Sequence, residues 1–372
     1  MALAVPESPT SVDELRAAVI AATAPAAMAD GSKAALRDLH SVAVETARQR
    51  ARPALARWES RLIQHFAMPS EVDPHRIAPT LRQVESPADK RLFRYASLHW
   101  SIPVSFGYGR RLRFLIEDGS NGRLIGILGL GDPVFALRDR ERWIGWDSHR
   151  RAERLRHVMD AYVLGAVPPY SLLLGGKLVA ALAISREVQA AFWNRYGRST
   201  SLIAGRKQHS GLALLTTTSA FGRSSMYNRI RLRGRDLWTH VGYTRGHGEF
   251  LFDGQLYQRL RLFLEGQQAT PSARHANWGA EGWRNRREVV RKALPLLGLP
   301  YDLHLHGVRR AIYVAPLGDS ATEWLKGTAR GPRLIRTPAE EIGREAVERW
   351  LIPRSVASSD WQEWDREELR LW

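Results

Sequence analysis

The chain has 372 residues, 44% hydrophobic and 25% charged, and 55 Lys plus Arg against 38 Asp plus Glu give it a formal net charge of +17. That length predicts two or three domains, and that balance excludes disorder over the whole chain. With no cysteine there are no disulfides, no thiolate catalysis, no zinc fingers and no iron–sulfur clusters, which suits a cytoplasmic protein.

Residues 1–65 read as two or three helices. Ser11 and Glu14 have capping-box spacing, and Leu15, Val19 and Ile20 are spaced for one buried face. Ala34 to Arg50 and Leu55 to Phe66 continue the pattern. The start of the chain has no cationic segment followed by an apolar run, and no stretch is long enough for a membrane span, so neither a secretory signal nor a membrane location is expected.

From Arg111 to Gly131 the sequence reads as a hairpin. Phe114–Ile116 and Leu124–Leu130 are the strands, and Asp118-Gly119 with Asn121-Gly122 supply turn chemistry. Arg150 to Leu164 is expected to be a helix with Leu155, Val158, Met159 and Tyr162 on one face, stopped by Pro168-Pro169. A second helix is expected over Leu178–Tyr196, then a buried strand over Leu212–Thr218. Leu237–Val241, Glu249–Phe252 and Ala311–Ala315 are further strand candidates. Gly254–Leu264 and Arg284–Leu296 are helical, as is a last segment from Thr337-Pro338, with Glu340 completing a capping box, to Trp350. The irregular alternation predicts an α/β fold, a mixed α+β core with an N-terminal helical region. We read three parts: a helical region 1–80, a mixed core 81–265, and 266–372 as the C-terminal part of that core plus a tail.

Excess arginine points to a polyanion, most simply DNA, with RNA as the other choice. The strongest segment is 205–235, which contains no acid. Its candidate contacts are Arg206, Lys207, Thr217, Ser219, Arg223, Ser224, Arg229, Arg231 and Arg233. Hydroxyls and glycine amides there are expected to ring a phosphate. Arg229, Arg231 and Arg233 alternate, so a strand would place them in one cationic stripe. A solvated strand face is the plain alternative. Gly175-Gly176-Lys177 before a helix adds a point charge without Walker A spacing, and Arg245 lies in a glycine-bracketed loop. Tyr227 has the neighbours of a phosphotyrosyl nucleophile, although a core tyrosine is the commoner role.

Asp132 and Asp147 are the first candidates for a catalytic Mg²⁺ site, at non-diagnostic spacing. The alternating His304 and His306 lack a third ligand nearby in sequence.

The segments GYGRRLRFLI, LIGILGLGDPVFALRDRERWIGWD, YSLLLGGKLVAALAISREV, LLTTTSAFGRSSMYNRIRL and GYTRGHGEFLF together resemble the family formerly called DUF4338, the A component of the bacterial Druantia anti-phage system. WRNRREVVRKALPLLGL and HGVRRAIYVAPLG extend the resemblance, which covers residues 90–352. It implies a bacterial cytoplasmic protein of phage defence or of a mobile element, working with other defence-system proteins. It carries over no catalytic residues. The leading expectation is a DNA-binding protein. A metal-dependent enzyme that cuts or joins DNA strands, and a non-enzymatic scaffold, are the alternatives.

Overall fold

The computed structural model describes residues 11–28, 32–104, 109–198, 211–246, 250–252, 254–269, 286–305 and 307–372. The chain divides into two compact units, each discontinuous in sequence. One comprises Met1–Thr46 and Thr244–Arg309, the other Ala47–Tyr243 and Arg310–Trp372.

The first unit is helical. It contains α1 (Val12–Met28), most of α2 (Lys33–Leu55), α9 (Gly254–Gly266) and α10 (Arg286–Leu296). The capping box forms: Ser11 Oγ accepts the Glu14 amide at 3.1 Å and Glu14 Oε2 accepts that of Ser11 at 3.3 Å. Leu15 and Val19 join Leu260, Leu264, Val289 and Val290 in one core. Ile20, expected beside them, is half exposed. Phe250–Phe252 is a 3₁₀ turn, so the strand expected over 249–252 is not formed.

The second unit is built on a sheet. Its strands are β1 (Pro79–Gln83), β2 (Arg111–Asp118), β3 (Arg123–Gly131), β4 (Val158–Ala166), β5 (Leu214–Thr218), β8 (Thr239–Tyr243) and β9 (Ala311–Pro316), with the two-residue strands β6 (Arg231–Leu232) and β7 (Arg235–Asp236) forming a separate hairpin. The main sheet runs β1-β2-β3-β4-β5-β9-β8. All its pairs are antiparallel except β4 with β5. One face carries a core from Phe114 and Ile116 to Tyr313 and Trp350. The other carries two smaller cores, one around Leu115 and Val163, one around Val158, Leu214 and Val314.

Helices cover both faces. They include α3 (Glu59–Leu62), α4 (Pro87–Ser97), α5 (Arg138–Ile144), α6 (Ser148–Arg154), α7 (Gly175–Leu182), α8 (Arg186–Tyr196), α11 (Ala321–Lys326), α12 (Ala339–Ala346) and α13 (Ile352–Ala357). Neither β1 nor α4 was expected from the sequence.

The β2–β3 hairpin forms as read. Gly122 at its turn has φ 73°, and a side chain at Gly129 would put Cβ 2.6 Å from the ring of Tyr162. The helix expected over 150–164 is corrected: α6 ends at Arg154 and Val158–Ala166 is strand. Val158, Met159, Ala161, Val163 and Leu164 are buried on both faces of the sheet, and a strand buried on both faces has no polar alternation to give it away. The expected 178–196 helix is two, α7 and α8. The chain turns at Ser185, where the Arg186 amide leaves the helical ladder for Thr337 O at 2.9 Å. The last helix forms, but its cap is not Glu340. Glu187 Oε2 accepts the Ala339 amide at 2.7 Å across the fold. The tail is tied down as well: Trp361 and Leu369 are buried, and Glu59 accepts the Leu371 amide at 2.6 Å.

Candidate functional site

The basic segment after β5 is not a strand stripe. Of the three alternating arginines only Arg231 lies in a strand; Arg229 and Arg233 hold left-handed backbone, φ 57° and 51°. Nor does the lack of local acids leave the arginines alone. Arg233 sits between Glu341 and Glu345 of α12, at 2.7 and 2.5 Å, and Arg235 pairs with Asp319. Arg231 donates to Gly234 O at 3.0 Å. Arg223 and Arg229 are exposed and have no ion-pair partner among the described residues.

The expected ring of hydroxyls is turned inward. Thr217 is buried and donates to Ala161 O at 2.8 Å. Ser219 is buried, donates to Gly222 O and accepts the Ala311 amide at 2.9 Å. Both close loops within the sheet instead of facing a phosphate. Ser224 is half-buried; its amide donates to the Tyr313 hydroxyl at 3.1 Å and its hydroxyl accepts the Met226 amide at 3.2 Å. Arg245 is exposed, in the first unit. Arg206 and Lys207 lie outside the described residues, as do His247, Glu249 and His306.

The two candidate metal ligands have separate duties. Asp132 accepts from the Arg110 amide at 3.0 Å and from its Nε at 2.7 Å. Asp147 caps α6, accepting the Arg150 amide at 2.7 Å, and that bond holds its carboxyl below the ordinary value. Among the described residues no three His, Asp or Glu side chains come together as a metal cluster.

A polar centre that the sequence reading passed over lies where β4 meets β5. Asp160 and Thr216 are register partners, and Thr216 Oγ1 donates to Asp160 Oδ1 at 2.7 Å. This is the only hydrogen bond Asp160 accepts among the described residues. Burial pushes its carboxyl up to about 6, against the pull of that bond and of Arg140.

Arg140 on α5 is fully buried. Its Nη2 donates to Glu141 at 2.6 Å and Val134 O at 2.9 Å, while Nε and Nη1 have no partner. Burial lowers its pKa, against the pull of Glu141 and Asp160. A buried guanidinium with two orphan donors is costly, and the charge of Asp160, a carboxylate that accepts one hydrogen bond, acts on it.

Tyr227 stands on the other face of the sheet. Its ring meets Tyr313 at 4.9 Å and Trp238 at 5.4 Å. Burial raises its phenol pKa, against a hydrogen bond with Thr217.

Two cationic groups complete the surface. Arg57, Arg61 and Arg91 place their guanidinium carbons 5.4, 5.7 and 4.3 Å from the ring centre of half-buried Trp58. None of the three is ion-paired among the described residues. Lys177 lies 5.9 Å from the Trp350 ring. Burial lowers its pKa first, and the positive charges of Arg229 and Arg349 lower it further. Sequence reasoning had a signal for the first group: between Arg48 and Arg61 the only acid is Glu59, which is buried under the tail.

Residues 30–327 match the family model described as Druantia protein DruA. The chain belongs to the DruA family. A curated relative, Druantia protein DruA of Escherichia coli strain UMEA 4076-1, is 41% identical over 312 residues, covering 83% of this chain and 77% of that protein. No solved structure matches. Among the described residues no helix is long and apolar enough to cross a membrane.

Proposed function

We propose that this DruA-family chain is a cytoplasmic nucleic-acid-binding component of a bacterial Druantia defence system, with DNA as the leading partner and the other proteins of the system as further partners. The observation that carries the reading is Trp58 with three guanidinium groups around its ring, none neutralised by a carboxylate among the described residues. An indole gives a base a stacking platform, and Arg forks pair with the flanking phosphates. A net charge of +17 brings the polyanion in.

The second set of contacts is Arg223, Ser224, Arg229 and Arg231, and Lys177, Arg245, Arg206 and Lys207 supply further charge. These residues neutralise phosphates and set register, and they carry little base readout.

Binding to labelled single- and double-stranded DNA, titrated over several salt concentrations, is the test. Changing Arg57, Arg61 and Arg91 together to Ala lowers the slope of log K against log salt by about 0.9 for each duplex phosphate no longer neutralised, or about 0.7 on single strands. An Arg223, Arg229 and Arg231 triple variant behaves alike. Unchanged slopes in both variants overturn the reading. Strand integrity in the same samples, with Mg²⁺ or with EDTA, tests for strand cleavage.

A further inference from the structure

Between β3 and α5 the chain runs from Asp132 to Leu137, and every residue after Asp132 is apolar. A connection of this kind is ordinarily polar. Here Val134 and Phe135 stand 62% and 60% exposed at its tip.

The tip is held from both ends. Asp132 accepts the Arg110 amide and Nε, and Arg110 Nη2 donates onward to Val158 O of β4 at 3.2 Å. At the other end Glu141 Oε1 accepts the Leu137 amide at 2.9 Å, and the Glu141 amide donates to Leu137 O at 3.0 Å. Beneath the tip, Arg140 Nη2 donates to Val134 O at 2.9 Å and to Phe135 O at 3.2 Å. The fully buried guanidinium that leaves two donors unused thus braces the carbonyls of the two exposed apolar residues. A tip ordered in advance loses little conformational freedom when a partner covers it.

The surface beside the tip is basic. Arg151 of α6 places its guanidinium carbon 4.6 Å from the Phe135 ring centre, and Arg154 places its own 4.8 Å from that of Trp324 on α11. Lys326 lies against Gly145 at the end of α5, and Arg150 against Gly327 at the end of α11. Arg138, Arg151, Arg154 and Lys326 have no ion-pair partner among the described residues. The acids of these helices are taken up locally: Asp139 by the Tyr243 amide and Arg142, Glu141 by Arg140, Glu153 by Arg150. Glu323 of α11 is the exception.

We propose that Val134 and Phe135 form a wedge that enters a DNA duplex between two base pairs, with Arg138, Arg151, Arg154 and Lys326 on the phosphates beside it. This rests on the nucleic-acid reading and adds to it a place where the duplex is deformed. Apolar side chains inserted at a base step unstack it and kink the duplex, which brings more backbone onto the protein. An apolar tip alone would also suit a membrane or a protein groove. Two side chains are too few to hold a protein on a lipid surface, and an apolar groove gives four cations no neighbour. A polyanion with stacked rings inside it satisfies both parts. Trp58 packs on the core over the β2–β3 half of the same sheet face, so its arginines and this group lie on one side of the sheet.

The test is the emission of 2-aminopurine, which brightens on unstacking, placed at successive positions of a short duplex and read with the full chain at saturation. Salt titrations of binding accompany it. Wild-type protein raises the emission. The double variant Val134→Ala, Phe135→Ala, with an unchanged circular dichroism spectrum, loses most of the rise and keeps the salt slope. Phe135→Leu, still an apolar wedge, keeps most of the rise. Changing Arg138, Arg151 and Arg154 together to Ala lowers the slope by about 0.9 for each duplex phosphate no longer neutralised. The Arg57, Arg61 and Arg91 variant lowers the slope and keeps the rise at saturation. Binding without a rise, or a rise that survives loss of both apolar side chains, overturns the wedge and leaves the nucleic-acid reading standing. No DNA binding at any salt overturns both. Capture by phosphatidylserine vesicles that the double variant abolishes, with duplex emission flat, overturns the wedge in favour of a membrane surface.

Discussion

Asp118 and Asp160 stand two strands apart in the same sheet, and their environments are opposites. Asp118 is fully buried and saturated. It accepts the amides of Ala78 and Ser120 at 3.0 Å each, and the hydroxyls of Ser120 and Tyr170 at 2.8 Å each. Asp160 accepts one hydroxyl, and the arginine whose charge reaches it keeps two donors unused. The first is a staple that closes the β2–β3 turn onto the residues before β1 and the loop after β4. The second, at the last register pair of β4 with β5, accepts a single hydroxyl among the described residues. The number of bonds each accepts separates the two carboxylates more sharply than burial does.

Removing the staple has the largest expected effect. Asp118→Ala strands four donors and costs about 4 kcal/mol, seen as a lowered urea midpoint. A cost below about 1 kcal/mol would erase the contrast with Asp160.

Glu59→Gln comes next. Glu59 accepts the Tyr95 hydroxyl at 2.9 Å and the Leu371 and Trp372 amides. An amide weakens bonds made to a charge, at about 2 kcal/mol. The Leu371 and Trp372 amides should exchange hydrogen faster while those of β3 keep their protection.

Asp160→Asn sharpens the comparison with the opposite sign. The folded pKa of Asp160 lies above the unfolded one, at about 6. The folded state then holds more protons between about pH 4 and 6, and stability falls as pH rises through that window. The amide stays neutral, so wild-type protein should lose about 1–2 kcal/mol relative to the variant from pH 4 to 7. Parallel stability curves across that range would mean that Asp160 is as well served as Asp118.

Arg233→Ala is the small one. Arg233 is exposed and its two carboxylate partners on α12 are half-exposed, so the loss should stay under about 1 kcal/mol and shrink with salt.

What the sequence could tell follows from how local each signal is. The β2–β3 hairpin, β5, β9, α9 and α10 carry their turns, caps and apolar patterns within a dozen residues, and they form where expected. Leu155, just before β4, and Val158, Met159 and Tyr162 within it happened to fit helical spacing, while both faces of the strand were largely apolar. The arginine stripe failed for a different reason. Arg233 and Arg235 looked partnerless because Glu341, Glu345 and Asp319 stand 84 to 112 residues away in sequence. The polar centre is also non-local: Asp160 meets Thr216 across 56 residues, and only the parallel pairing makes a lone acid in an apolar strand informative.

The strand order also sets a timetable for synthesis. β5 and β8 are not neighbours; β9 lies between them and is the last strand made. β8 leaves the ribosome with a side waiting for residues some seventy positions downstream, and β5 for residues nearly a hundred downstream, a delay of roughly 3–20 s at ordinary elongation rates. Throughout it the apolar edge of β5 is open to other chains. A nascent chain stalled before Ala311 should therefore be a good client for a chaperone and a poor candidate for folding on its own.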